Sequence, residues 1–384
     1  MNKNGIPRID WLDHLKTFAL FGVILNHLVE TLEPGSWFAR PSGIWAVFLE
    51  QVPNFVAQDS LLVSMMKILA WVGDFCPGVF IFASGFGLSW AVLYSEQSSM
   101  DWKTFLQRRI LRLYPLYIFV HLLFLAATLA KNGSTTIFTD PKFLLSILGI
   151  RITDALFFFI NPAWWFIWLI LQLYVVFPLL YILLKRVGIG WFLVLAFLFT
   201  FLSRLSGLFG LRYSESLYFW MLGIFFGTRL AEFCAGMVLA ALLKEGARGK
   251  VQQLGKPKYI FLFSILLLSL GLASSFVRYG SLVNYFLVTL GLSGLFYFIW
   301  KTVFEKRKLL SRFTTMIAFE SYGIYLIHPL IMQGVAHFLT SEWRLIGLIA
   351  AITASFPIGI YLTRLVNLFV QKWILGVRTL VAAS

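Results

Sequence analysis

The sequence predicts an all-α fold, a polytopic membrane helix bundle of about ten transmembrane helices plus one interfacial or re-entrant segment. Three observations predict it. Apolar residues make up 59% of the 384 residues and charged residues only 13%, outside the range of a soluble globular domain. Apolar runs of roughly 20 residues, enough to cross a bilayer, recur along the whole length. The basic residues, which give a formal charge of +15, sit in short clusters between those runs. That is the pattern of cytoplasmic loops and not of a nucleic-acid-binding surface. The 40 Phe and 14 Trp suit lipid-facing surfaces and interfacial belts. Cys76 and Cys234 lie in or beside apolar segments without CxxC spacing, so neither a metal site nor a disulfide framework is indicated.

The first run, 11–30, carries Asp13, His14 and Lys16 where a signal peptide would begin its apolar region. No small-residue cleavage site follows, so it reads as a retained span. The remaining runs are 70–92, 113–131, 163–184, 190–208, 219–243, 259–276, 282–301, 315–338 and 345–366. Between the third and fourth, 143–160 is interrupted by Arg151 and Asp154 and reads better as an interfacial or re-entrant helix than as a span. Counted as a span, it would move the C-terminus across the membrane. With the N-terminus inside, 22 of the 32 Lys and Arg fall on inner segments and inner span ends, leaving 10 elsewhere. The positive-inside rule then places both termini in the cytoplasm. No repeat or linker is visible, and 1–384 is expected to form one membrane domain with no fused soluble domain.

Four motifs carry polar chemistry into these spans. Asp13-His14-Leu15-Lys16 opens the first, and His27 lies eleven residues beyond Lys16, roughly 16 Å along a helix. An ionisable group at that depth usually has a function, and imidazole can be neutral there and still exchange protons. The alternative is a lysine that snorkels to the interface and a structural histidine. Ahead of the third span, Arg108 and Arg112 are four apart and project from one helix face. Two guanidinium forks there suit a phosphate-rich ligand, or else lipid headgroups and topology. Pro115 is expected to end that amphipathic helix. In the ninth span Ser321, Tyr325 and His328 fall at i, i+4 and i+7, one polar stripe that either takes part in chemistry or glues helices together. In the sixth, Arg229 and Glu232 can pair at i, i+3, and Gly236 permits close helix approach, as do Gly78 and Ser84-Gly85-Phe86 in the second.

Together these residues resemble the acyltransferase-3 family of bacterial membrane proteins, which move acyl groups, often acetyl, onto cell-surface sugars. The resemblance runs nearly the whole length and rests on five ordered motifs. They are D-x-L-K with a histidine fourteen residues after the aspartate, SGF at Ser84–Phe86, RRxxRLxPxY at Arg108–Tyr117, WFxxxxxxxYxxxP at Trp165–Pro178 and SYxxYLxHP at Ser321–Pro329. Two positions depart from it: lysine stands at 16 where the family usually has arginine, and Gly87 follows SGF where a bulky apolar residue is usual. The resemblance implies an acetyl-CoA (acyl-CoA) co-substrate entering from the cytoplasm, with no bound cofactor and no metal. Its phosphates would meet Arg108, Arg112 and the Asp13–Lys16 motif. His27 would act as general base on an acceptor hydroxyl, and Tyr325, Ser321 or His328 would donate to the developing oxyanion. The implied acceptor is a surface glycan or lipid-linked sugar, the setting the bacterial inner membrane with its lipids, and nucleic acid plays no part. A transporter or flippase is the rival reading. It would also need intramembrane polar groups, but neither internal repeats nor paired discontinuous helices are visible.

Overall fold

A computed structural model describes residues 7–32, 60–94, 101–132, 139–210, 220–247, 255–277 and 279–375. Residues 248–254 and the tail 376–384, both counted with the basic inner segments, lie outside them. Among the described residues the regular structure is helical throughout, and eight helices are long and apolar enough to cross a membrane. The protein is an all-α polytopic membrane bundle. Its chain falls into two compact units, Met1–Ser98 with Val176–Phe319, and Ser99–Val175 with Glu320–Ser384.

In chain order the helices begin with α1 (Asp10–Leu32), α2 (Leu61–Asp74), α3 (Cys76–Leu93) and α4 (Trp102–Asn132). Two short ones follow, α5 (Pro141–Ile147) and α6 (Asp154–Phe157), then α7 (Trp165–Gly210) and α8 (Leu230–Ala247). The last four are α9 (Pro257–Ser274), α10 (Asn284–Ile299), α11 (Lys308–Phe338) and α12 (Ser341–Phe369).

The first unit is held by small residues at helix crossings. A Cβ on Gly85 of α3 would meet the Phe233 carbonyl oxygen, and one on Gly236 of α8 would meet the Phe82 carbonyl oxygen. The two backbones therefore touch, as in close membrane-helix pairs. Gly78 gives Thr289 of α10 the same room, whereas a Cβ on Gly87 would meet only Leu12, at 3.9 Å. α1 runs antiparallel to α2 and α3: Trp11 packs on Phe86 (centroids 5.1 Å), and Asn26 donates to the Ala70 carbonyl at 3.0 Å.

α7 has 46 residues, about 69 Å if straight, more than twice the bilayer core. It reverses instead. Phe177 packs on Phe233 of α8 (6.1 Å), and Thr200 accepts the Ala231 amide at 2.9 Å. A straight helix would separate residues 177 and 200 by about 34 Å, yet both reach the same stretch of α8. Between them Gly188 takes φ 78° and ψ 168°, open only to glycine, with Lys185 and Arg186 exposed beside it. The two arms are the expected runs 163–184 and 190–208.

In the second unit, 143–160 forms no spanning helix. α5 has seven residues and α6 four. Tyr117 and Tyr114 of α4 donate their hydroxyls to the carbonyls of Ser146 (2.8 Å) and Leu148 (2.7 Å). Those tyrosines lie about 22 to 27 Å along the axis from the end of α4 at Asn132, so the segment is re-entrant and returns to mid-helix depth. Pro115 does not end a helix. α4 continues through it from Trp102 to Asn132. Proline forfeits only one backbone bond, and membrane helices tolerate it where neighbours supply other donors. The carbonyl it frees is that of Leu111; Tyr322 donates to the Leu113 carbonyl two residues on, at 3.1 Å. α11 contains the ninth expected run but is not among the eight helices apolar enough by composition, because its polar stripe dilutes the run. Gly323 and Gly359 bring it into backbone contact with α12.

Candidate active site

At the start of α1, in the first unit, Asp13 sits between two cations. Arg8 donates to its carboxylate from Nη2 at 3.0 Å, and the Lys16 ammonium lies 3.7 Å away. His14 is buried and donates from Nδ1 to the Asp10 carbonyl (2.8 Å), its ring among Phe18, Trp300 and Phe304. Three turns further along, His27 is half-buried, and Thr31 donates to its carbonyl oxygen at 2.7 Å. Asp13, Lys16 and His27 thus share one helix of the first unit.

The same unit holds a charge cluster of which only one pair was legible in the sequence. Arg229 and Glu232, both buried, pair at 3.4 Å. Arg229 also lies over the Tyr285 ring (3.7 Å), as does Arg204 of α7 (4.4 Å). The Tyr285 hydroxyl donates to Asp74 at 3.3 Å, and Arg204 donates to the Thr228 and Ser281 carbonyls. Two guanidiniums and the Asp74 carboxylate thus contact one tyrosine of α10, with Glu232 of α8 paired to Arg229 in the turn just ahead of that helix. Arg204 and Asp74 each stand alone in an apolar run, and matching intramembrane charges of opposite sign would have flagged them.

In the second unit Arg108 and Arg112 are both exposed near the start of α4 and make no ion pair among the described residues. Asp101 caps that helix, and the Thr104 hydroxyl beside it holds its carboxyl below the usual carboxylate range. Arg109 turns inward, over Phe105 (5.3 Å) and Tyr174 (6.0 Å). Further along, His121 is buried and donates from Nδ1 to the Tyr117 carbonyl (3.0 Å), while its Nε2 accepts from the Ser146 hydroxyl (3.0 Å). Arg151, fully buried, donates to Ser146 Oγ (2.9 Å) and to the Leu156 and Phe159 carbonyls. It is the pin around which the re-entrant segment folds, whereas the sequence showed it only as an interruption of an interfacial or re-entrant segment. His121 carried a signal too, a histidine inside an apolar helix four residues after a tyrosine.

The α11 stripe faces the same core. Tyr325 donates its hydroxyl to the Ala163 carbonyl, and the Trp164 indole donates to the Leu326 carbonyl at 3.2 Å. Ser321 is buried, and His328, with no exposure at all, donates from Nδ1 to the Ile324 carbonyl (2.9 Å). In the neutral ring Nε2 then carries the lone pair. Tyr117, Trp164 and Leu326 share one buried cluster, with Tyr114, Tyr322 and Tyr325 against it. Three of the five motifs therefore meet in the second unit, while the DxLK and SGF motifs pack together in the first through Trp11 and Phe86.

The order of these motifs is matched by a family-wide pattern covering residues 9–364, described as an acyltransferase domain. The chain belongs to the acyltransferase-3 family. It is a multi-pass membrane acyltransferase. No curated protein and no solved structure matches it. For an acyltransferase of this family, the residues above supply a proton acceptor, hydroxyl and amide donors and exposed cations. Among the described residues no three His, Cys, Asp or Glu side chains come together as metal ligands.

Proposed function

We propose that the protein moves an acyl group, in the first instance acetyl, from cytoplasmic acyl-CoA to a hydroxyl of a cell-surface or lipid-linked glycan. Its setting is the bacterial inner membrane, with both termini in the cytoplasm and residues 1–384 acting as one domain. The observation that carries the donor assignment is the contrast among arginines. Arg109, Arg151, Arg204 and Arg229 are engaged by aromatic rings, carbonyls or Glu232, whereas Arg108 and Arg112 stand exposed, four apart on one face, with no acidic partner among the described residues. Two such forks are suited to the phosphates of CoA. Lys16 and Asp13 contribute at the cytoplasmic end of α1, and the pantetheine arm runs toward His27, about 16 Å away.

Chemically, the acceptor oxygen attacks the thioester carbonyl carbon while His27 takes the hydroxyl proton. The tetrahedral oxyanion collapses with expulsion of the CoA thiolate, which recovers the proton. Ser321 can donate to the oxyanion. His328, in the neutral form described above, can do so only once protonated, and Tyr325 has its single hydrogen on Ala163. The test uses purified protein with labelled acetyl-CoA and a panel of surface glycans. Acylated glycan should form, and Arg108→Ala or Arg112→Ala should weaken acetyl-CoA binding about 10- to 100-fold, as loss of charged hydrogen bonds does. Unchanged binding by the double variant would assign the pair to lipid headgroups. Passage of glycan across the membrane without acylation would favour a transporter.

A further inference from the structure

The re-entrant segment ends at a side chain that no motif singled out. Asn161 is completely buried, and almost every polar group it has is fixed. Its amide N–H donates to the Phe159 carbonyl at 2.8 Å, which also receives the Arg151 guanidinium at 2.6 Å. Its own carbonyl accepts from the Trp164 amide (3.2 Å), and its Oδ1 accepts from the Ala163 amide (2.9 Å). With the oxygen identified by that bond, the amide nitrogen Nδ2 must be the other branch, and it has no partner among the described residues. A buried amide left unmatched costs about 1–3 kcal/mol.

The backbone leading to it is strained. Ile160 takes φ 66°, a conformation unusual for any residue with a Cβ and rarer for a β-branched one, while its side chain packs on the buried cluster of Tyr117, Trp164 and Leu326. Two residues beyond Asn161, Ala163 receives the Tyr325 hydroxyl, and Trp164 reaches Leu326. The backbone two and three residues beyond Asn161 is therefore bonded to the stretch of α11 that carries Tyr325 and His328.

We infer that Asn161 Nδ2 is an oxyanion donor of the transfer reaction, alongside Ser321. When the acceptor oxygen bonds to the acyl carbon, the carbonyl π electrons move onto its oxygen. An amide N–H of Asn161 then donates to that oxygen until the C–S bond breaks and the carbonyl re-forms. A neutral donor whose oxygen is already held by the Ala163 amide keeps its orientation as the charge develops, and fixed donors of that kind are where such groups act most strongly. The inference rests on acyl transfer from a thioester and is independent of which glycan accepts.

Two variants separate this role from helix capping. Serine keeps a capping oxygen and removes the amide, whereas alanine removes both. Acetyl-CoA affinity, thermal stability and transfer of labelled acetyl to a panel of purified surface polysaccharides and lipid-linked sugars are measured for each. Asn161→Ser should melt close to the wild type and bind acetyl-CoA equally, with turnover reduced about 10²- to 10³-fold. Asn161→Ala should lose stability as well. Turnover restored along with stability in Asn161→Ser would overturn the inference and leave Asn161 a cap. A wild-type protein that neither binds nor consumes acetyl-CoA would overturn the donor assignment, and this inference with it.

Discussion

Replacing Arg151 by alanine should release the re-entrant segment without unfolding the rest of the protein. The guanidinium is fully buried and donates to the Leu156 and Phe159 carbonyls and to Ser146 Oγ. Hydrogen bonds from a charged donor contribute about 1.5–3 kcal/mol each, so the two carbonyl bonds alone amount to about 3–6 kcal/mol. Ser146 keeps its bond to His121, and a loosened loop can rehydrate from its outer end, which puts the net loss near the lower figure. About 3 kcal/mol raises the open population about 100-fold. Hydrogen exchange read by mass spectrometry should show this at the amides of Gly149, Ile150, Phe157 and Asn161, all bonded within the segment. Exchange in α8 should be unchanged. Arg151→Lys should fall between, since one ammonium cannot take the place of both guanidinium nitrogens, Nη1 on the two carbonyls and Nη2 on Ser146 Oγ. Exchange indistinguishable from wild type across 143–161 would refute the idea that Arg151 holds the segment in place.

Reporter fusions after Arg186 and Lys308 should mark the cytoplasm and one after Glu342 the outside; a cytoplasmic signal at Glu342 would contradict the ten-crossing topology. Glu232→Ala should destabilise the protein by about 3–5 kcal/mol by stranding Arg229, whereas Glu232→Gln should be milder, as thermal unfolding in detergent would show. His27→Ala should reduce transfer about 10²- to 10⁴-fold with acetyl-CoA binding retained, and His328→Ala should reduce it less. A folded, active His27→Ala protein beside an inactive His328→Ala protein would move the base to α11.

The fold was legible wherever a segment's own composition decides its environment. Among the described residues each expected run is mostly helical, because an apolar run has no low-energy alternative in lipid to satisfying its own backbone. Even the reversal within α7 could be read from Lys185 and Arg186 between two apolar runs, although only Gly188 with its positive φ shows how a single residue makes it. Pro115 was misread because proline inside a helix forfeits only the one bond to the carbonyl four residues back, and in lipid the chain has no better way to satisfy the rest of its backbone than to continue the helix.

The site was legible in its periodic parts and hidden in its paired ones. Spacing alone put Arg108 and Arg112 on one exposed face and Ser321, Tyr325 and His328 on one stripe. What spacing could not give was direction. Tyr325, expected to serve the oxyanion, donates instead to Ala163 at the end of the re-entrant segment, and His328 commits its Nδ1 proton to its own helix. Those two bonds commit two donors of the α11 stripe, and the first also ties α11 to the stretch of backbone that carries Asn161. A side chain bonded on its oxygen and unmatched on its nitrogen has no signature in sequence, since asparagine before proline reads simply as a turn. Only after the neighbouring carbonyls and hydroxyls are paired off does this amide become visible as a group still able to donate.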